Sequence, residues 1–417
     1  MNKADADILA RVRGAFGSAP PARLGVAVSG GGDSVALLHI LSRCFEPGSV
    51  ELYAVTVDHG LRPEAQAEAM QVQALCAELM VPHTTLRWTS WDGVGNLQER
   101  AREARYQLIS EWAKTQDIAM FAVGHTADDQ AETMLMRLAR SSGVDGLAAM
   151  PLNRTLFGIT LIRPLLGLSR QELRDYLKHQ DVRWSEDPSN QNTAFERVRT
   201  REALKLLAPL GITAKVLSDV AANMDQAREA LDWYTFLAAR ELAVVNGGDV
   251  LFNLRKFRAL PGETARRLLV RSIAWVGGTV RGPRRIPVSL TLDSIRAGRS
   301  STLGGCNVLR HDNRVWVCRE YNAIQSTRCS IDSFWDERWQ LIGPDAVGLE
   351  VRALGQEGLN ECPDWRATGR PLASLIASPA VWQGETLVAA PLAGKTAGWT
   401  AQLAAGEEEF FATLISH

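Results

Sequence analysis

Residues 26–40 read VAVSGGGDSVALLHI, and this stretch decides the fold. An apolar run ends at Val28, three glycines follow, and from Ser34 to Cys44 the apolar spacing is helical. Gly30, Gly31 and Gly32 free the backbone for positive φ and for close approach to a ligand. A strand, a glycine turn and a helix N-terminus together make an anion site from backbone N–H groups and the helix dipole. A phosphate loop of this kind ordinarily ends in Gly-Lys-Ser/Thr. Here it ends in Asp33-Ser34, with no lysine. An aspartate repels phosphate unless a divalent cation lies between them, so Asp33 is expected to bind magnesium in a loop that holds pyrophosphate. Ser29 and Ser34 add hydroxyl donors. The competing reading is a plain glycine turn in which Asp33 only caps the helix.

Working outward, the 417 residues suffice for two or three domains, and the composition is that of a soluble protein, 46% hydrophobic and 22% charged. No run approaches the ~18 apolar residues of a membrane span. The first residues, MNKADADILARVRGAFG, lack the continuous apolar core of a secretory signal. The six cysteines stand at least 11 positions apart with no Cys-x-x-Cys, which argues against a zinc ribbon, a cysteine-ligated iron–sulfur cluster and a redox dithiol. Scattered thiols without a signal fit a reducing cytoplasm, so a cytoplasmic protein with no membrane partner is expected.

Over the first 140 residues, buried-strand patterns (LGVAVS, ELYAVTVD, HTTLRW, IAMFAVGH) alternate with helical ones. This alternation predicts an α/β fold with a doubly wound parallel sheet, whose ligands lie beyond the carboxyl ends of the strands. Ser29–Ser34, Asp58-His59 and the segment from His125 all fall at such ends. Residues 163–210 read as a connection with one clear helix after Ser169, capped by Ser169 and Glu172, followed by the loop SEDPSNQN. Helical patterns cover residues 212–245 and 263–275, and after VRGPRRIPV the chain reads as short strands. The last 85 or so residues, rich in Gly, Pro and Trp, read as a small mixed or β domain. The expected division is a catalytic domain over 1–215, a mainly helical basic domain over 216–330, and an acidic C-terminal domain over 331–417.

Net charge is −1, but residues 251–330 hold 15 Lys/Arg against 4 Asp/Glu, and residues 331–417 hold 5 against 12. A local excess of this size is the footprint of a surface that meets phosphates, or else a merely solvated face.

Two further clusters carry chemistry. In GHTADDQAETMLMR, His125, Asp129 and Glu132 recur at i, i+4 and i+7 and would share a helix face. A capping box of Thr126 with Asp129 and an ion pair from Glu132 would explain the same residues, and His-x3-Asp-x2-Glu can also chelate a metal. In NLQERAREARYQL, Arg102 and Arg105 either form surface ion pairs worth under ~1 kcal/mol or place an arginine on phosphates. Gly394-Lys395-Thr396 imitates the end of a Walker loop, but Ala389 stands where the leading glycine belongs.

Ser-Gly-Gly-x-Asp-Ser between strand and helix resembles the PP-loop (N-type ATP pyrophosphatase) family, which cleaves ATP between the α and β phosphates and transfers AMP to a carbonyl oxygen. More narrowly, SGGGDS, VDHGLR, AREARY, GHTADDQAETMLMR and RPLLGLSRQELRDYL…DPSN…FERVRTR are similar to the tRNA(Ile)-lysidine synthetase family. The resemblance covers roughly residues 24–210 in detail. It departs at Arg197-Val198-Arg199-Thr200-Arg201, where Val198 replaces the family's usual asparagine.

The resemblance implies ATP-dependent replacement by free L-lysine of the oxygen on carbon 2 of the wobble cytidine, in the CAU anticodon of a minor tRNA(Ile). It implies that Ser29, Gly30, Gly31, Gly32, Asp33 and Ser34, with Asp58, hold ATP, and that Asp33 takes Mg2+. Arg105 and His125 would act in adenylation, Asp129 and Glu132 would handle lysine, and Arg197 and Arg201 would face lysine's carboxylate or tRNA phosphates. Rival readings are a base-thiolating PP-loop enzyme, which generally needs paired cysteines, and a cytidine deaminase, which needs His-x-Glu with Pro-Cys-x-x-Cys. A non-catalytic ATP sensor and a small-molecule amide ligase remain, and neither needs the basic segment.

Overall fold

The computed structural model describes residues 2–60, 64–89, 97–186, 196–279, 282–344 and 348–415. Leu61 and Arg62 of VDHGLR and the DPSN loop at 187–190 lie outside the described residues. The chain divides into two compact units, Met1–Arg228 and Glu229–His417.

The first unit runs α1 (Lys3–Gly14), β1 (Arg23–Ala27), α2 (Gly32–Cys44), β2 (Glu51–Asp58), α3 (Glu64–Glu78), β3 (His83–Arg87) and α4 (Leu97–Thr115). It continues through β4 (Met120–Ala122), α5 (Ala127–Leu138), α6 (Val144–Leu147), β5 (Asn153–Leu156), β6 (Ile159–Ile162), α7 (Arg170–His179) and α8 (Glu196–Leu207). The six strands lie in the order β3-β2-β1-β4-β6-β5. All pairings are parallel except that of β5 with β6. The expected doubly wound sheet is therefore present.

Its two faces are covered by different helices, because alternate strand residues point to opposite sides. Leu24 and Val26 of β1 pack with α1, α2, α3 and α7 through Ile8, Leu37, Val72 and Leu173. Phe121 of β4 and Val55 of β2 pack with Tyr106, Ile109 and Trp112 of α4. The chain steps from β1 outward to β3, then returns to the far side of β1 for β4. The order thus reverses between β1 and β4, and the crevice beyond their carboxyl ends is where such a sheet receives a ligand.

At that crevice two loops meet backbone to backbone. A Cβ placed on Gly124, just after β4, would lie 3.0 Å from the carbonyl carbon and oxygen of Asp33. Gly30, on the facing loop, has φ +86°, which glycine adopts without strain.

Helix α9 (Ala214–Leu242) carries the boundary between the units. In the second unit β7 (Ala243–Asn246), β8 (Asp249–Asn253), α10 (Leu254–Ala259), α11 (Gly262–Gly277) and α12 (Arg285–Arg296) precede β9 (Ser301–Leu303), β10 (Cys306–His311) and β11 (Arg314–Arg319). These strands form a sheet in the order β7-β8-β11-β10-β9, packed through Phe252, Val308 and Val317 against Leu268, Leu269 and Ile273 of α11. Two smaller sheets follow, and Trp335, Trp339, Trp382 and Trp399 are buried among them, which accounts for the tryptophan-rich C-terminal sequence. None of the described helices is long and apolar enough to cross a membrane.

Two expectations are corrected. The stretch 163–210 holds a second helix, α8, with Val198 and Thr200 buried on it. After VRGPRRIPV the chain forms α12 before any strand. Its prolines mislead: Pro287 sits in the first turn, where a missing N–H costs nothing, and Val288, Thr291, Leu292 and Ile295 make a buried helical stripe.

The contact of Gly124 with Asp33 has a measurable consequence. Gly124→Ala is expected to force the two loops apart and destabilise the first unit by about 1–3 kcal/mol, as overpacking does. Chemical denaturation gives the value, and wild-type stability would show that the loops have room to give.

Candidate active site

The loop after β1 is locked from within. Ser34 Oγ donates to Gly31 O at 2.9 Å and accepts the Ser29 N–H at 3.1 Å. The Ser29 and Ser34 hydroxyls are also paired with each other, Oγ to Oγ at 3.2 Å, although Ser34 is buried and Ser29 is an exposed residue. Ser185 N–H donates to Gly30 O at 2.9 Å, and Trp184 lies against Gly32, 3.3 Å from where a Cβ would stand. Gly31 is the N-cap of α2 and offers no side-chain cap. The first N–H groups of α2 therefore keep the donors that every helix start leaves without an intrahelical partner.

Asp33, in the first turn of α2, does not stand alone. Arg170, the first residue of α7, reaches three carboxylates with its three guanidinium nitrogens. Nε lies 3.3 Å from Asp33 Oδ2, Nη2 2.6 Å from Asp129 Oδ1, and Nη1 2.7 Å from Glu132 Oε1. The backbone N–H of Arg170 is anchored on Asp128 Oδ2 at 2.8 Å. Two residues of α8 complete the cluster: Arg201 Nε is 2.6 Å from Glu132 Oε1, and Arg197 Nη1 is 4.0 Å from Asp129 Oδ1. Glu132 is fully buried, and its Oε2 has no hydrogen-bond partner.

These contacts set the charges. Burial raises the Asp33 carboxyl above its ordinary value, with Arg170 opposing and Asp129 adding to the rise. Burial is the largest influence on Asp129 and works against its ionisation, but Arg170, His125, the Thr126 N–H and Arg197 together outweigh it and hold the carboxyl below the usual range. Arg170 in turn is held above its ordinary value, because Asp129 and Glu132 outweigh its burial.

His125 precedes α5 rather than standing on it. Thr126 is the N-cap, closing a capping box in which Asp129 Oδ2 accepts the Thr126 N–H and hydroxyl at 2.9 and 3.0 Å. The capping reading is thus correct for Asp129, and the shared helix face from His125 is not formed. Arg163 Nε donates to His125 Nδ1 at 3.3 Å, and burial pushes the imidazole down to about 3, so it is neutral. At the end of β2, Asp58 Oδ1 accepts the Gly60 N–H at 2.8 Å, and Arg105 donates to His59 Nε2. Arg102 lies over the Tyr106 ring, 5.2 Å from its centroid, so Arg102 and Arg105 have different neighbours. Gly394 ends a 3-10 turn in the left-handed region and opens no helix, in keeping with its dismissal as a Walker loop.

The structure thus brings Asp33, Asp129, Glu132, Arg197 and Arg201 together. It adds Arg170 and Arg163, which the sequence reading did not single out. The available signal was the Ser169–Glu172 capping box, which makes Arg170 the first residue of a helix. Among the described residues no three His, Cys, Asp or Glu side chains are placed to chelate a metal. Magnesium needs less, since it binds through one or two carboxylates and the substrate's own phosphates. Asp33 beside open helix N–H groups fits that requirement.

A PP-loop domain family matches residues 5–207. The chain is 55% identical over 411 residues to the tRNA(Ile)-lysidine synthase of Ruegeria pomeroyi, covering 99% of this chain and 98% of that one. It is 36% identical over 344 residues to the tRNA(Ile)-lysidine synthase of Wolbachia pipientis wMel, covering 80% of each.

The neutral histidines make acid a lever on the first unit. Burial pushes His39 and His59 down to about 4 and His125 to about 3. Unfolded, each would titrate near ~6.5. The stability from keeping them neutral is complete above that pH and falls as the pH drops toward 4. For fully buried His39 the loss approaches roughly 1.4 kcal/mol per pH unit. Amide hydrogen exchange of α2, corrected for intrinsic rates, is expected to lose protection between pH 6.5 and 4.5. Constant protection over that range would contradict this.

Proposed function

Since the chain belongs to the tRNA(Ile)-lysidine synthase family of ATP-using PP-loop ligases, we propose that residues 29–34, Asp129 and Glu132 join lysine to carbon 2 of the wobble cytidine in a CAU anticodon. The observation that carries this reading is the meeting of a helix N-terminus built for phosphate with a buried carboxylate cluster built for a cation.

The cytidine oxygen is a poor leaving group, so it must first be esterified. It attacks the α phosphorus of ATP and pyrophosphate leaves. Ser29, the backbone of Gly30, Gly31 and Gly32, and the start of α2 hold the phosphates. Asp33 would hold magnesium, which would supply positive charge to the departing pyrophosphate. The neutral ε-amine of lysine then attacks carbon 2, and AMP departs with the former oxygen. At pH 7 that amine is about 3 pH units below its pKa, a cost of ~4–5 kcal/mol. Asp129 and Glu132 bind the ammonium and take its proton. Neutral His125, with Arg163 on its Nδ1, can donate a hydrogen bond from Nε2 but adds no charge. Arg105 and Asp58, at the end of β2, complete the nucleotide side. Arg197 and Arg201 orient lysine's acids and carboxylate.

On this reading residues 1–215 are the catalytic part, 216–330 the basic part that grips tRNA, and 331–417 an acidic part. In the basic segment Arg267 pairs with Asp232, Arg319 with Asp336, and Arg258 with backbone carbonyls. Arg255, Arg284, Arg285, Arg299, Arg310 and Arg314 are exposed and have no acidic partner among the described residues. Such charges are free to meet phosphates, with the salt dependence that follows.

Two measurements test the proposal. With ATP and magnesium, labelled lysine is expected in a CAU-anticodon tRNA(Ile) transcript and not in a tRNA(Met) transcript with the same anticodon. Label in neither would refute it. Asp33→Ala is expected to lower AMP formation by about a hundredfold or more while leaving tRNA binding within about twofold. Loss of both would show that the loop and the basic grip are not separate.

A further inference from the structure

Resting on the assignment of Asp129 and Glu132 to lysine, we infer that Arg170 is a placeholder cation: it occupies the carboxylates until nucleotide arrives, and so makes lysine binding depend on ATP.

The geometry leaves little room for another reading of who holds those oxygens. Arg170 uses all three guanidinium nitrogens on three carboxylates that belong to two substrates' sites, Asp33 on the nucleotide side and Asp129 with Glu132 on the lysine side. Asp129 has no second oxygen to offer, because its Oδ2 is tied to Thr126. Glu132 Oε1 already accepts from Arg170 and Arg201. Asp33, Asp129 and Glu132 are each ion-paired within 4.0 Å to one or two of Arg170, Arg197 and Arg201, and Asp128 accepts the Arg170 backbone N–H, so an incoming ammonium meets acids that already hold the protein's own cations. One acceptor, Glu132 Oε2, remains buried and empty-handed. For an ammonium to take both acids, one of those cations has to give way.

Arg170 is the cation placed to be released. Its backbone is fixed by Asp128 and by the Ser169 cap, whereas its side chain remains 21% exposed. Its link to Asp33 is also the weakest of the three, at 3.3 Å. A divalent cation arriving with the nucleotide would compete for that same carboxylate and repel the guanidinium beside it, while the phosphates attract it. Once Arg170 leaves Asp33 it loosens from Asp129 and Glu132, whose oxygens are then open to lysine. The rearranged guanidinium is next to the phosphates and suited to them.

Coupling of this kind is reciprocal and ordinarily worth between about 5-fold and 150-fold in affinity. Calorimetric titration of L-lysine into the full-length protein tests it, without nucleotide and with magnesium plus α,β-methylene-ATP. In the wild type, lysine is expected to bind at least about tenfold tighter with the nucleotide analogue, and the analogue tighter by the same factor with lysine. In Arg170→Gln the carboxylates are open from the start, so lysine alone should bind as the wild type does with analogue, and the coupling should fall below about twofold. Arg170→Lys, which keeps a charge, should retain part of the coupling and serves if the glutamine variant does not fold. Equal lysine affinity with and without analogue in the wild type overturns the placeholder and leaves the proposed function standing. Weaker lysine binding by Arg170→Gln in both conditions makes Arg170 a clamp that shapes the acids, and also overturns it. Labelled lysine failing to enter tRNA(Ile) would instead overturn the function.

Discussion

One guanidinium among three carboxylates is the interaction on which the first unit's arrangement depends. Removing one member of a buried ion pair typically costs 3–5 kcal/mol, because the remaining charge is stranded. Asp129 and Glu132 are almost wholly buried, so their carboxylates need cations opposite them, Arg170 and Arg201 in this structure. The partners come from separate elements: Asp33 from α2, the acids from α5, Arg170 from α7 and Arg201 from α8. The cluster is thus both a chemical site and a tie between helices that attach to different strands. Apolar packing reinforces it on two sides: Leu173 and Tyr176 of α7 join the α2 core, with Tyr176 sharing a hydrogen bond with His39, and Ala131 and Met134 of α5 pack with Leu204 of α8.

What was legible in the sequence follows from the range of the forces involved. The glycine loop, the individual strands and helices and both capping boxes are set by residues within a few positions of each other and read correctly, and the alternation of strand with helix carries the parallel sheet with it. The cluster is not local. Arg170 meets Asp33 across 137 positions and Asp129 across 41, and no periodicity announces such a pairing. The expectation that Glu132 would pair with an arginine was sound, but its partners lie 38 and 69 positions away. The His125 face failed for the opposite reason: the helix starts two residues too late, because Thr126 takes the N-cap and Asp129 turns back on it. The same local punctuation misled at Pro287, which reads as a breaker but sits where a helix tolerates proline.

The second unit handles charge differently, and the contrast bears on how one protein can bind both small cations and a polyanion. Its buried charges are closed off: Arg370 is sealed against Asp249, Ser374 and Asn246, and Arg267 against Asp232. These pairs hold the hairpin and helix α11 in place and offer nothing to a ligand. The remaining arginines, Arg284 and Arg285 at the start of α12 among them, face water. Charges of that kind are screened over about 8–10 Å at physiological salt. Buried pairs are screened much less.

The two populations of charge therefore respond to the same solution in opposite degrees. Salt weakens contacts made by exposed arginines to phosphates, because counterion release drives them. It acts much less on the Arg170 cluster, whose charges are largely buried and so weakly screened. A protein built this way can let the grip on a polyanion vary with ionic conditions while the recognition of ATP and lysine stays constant. Had exposed acids stood at the proposed lysine site and buried arginines on the proposed tRNA side, the dependence would be reversed. On the proposed function, the excess of positive charge over residues 251–330 is a division of labour, in which exposure decides what each charge does.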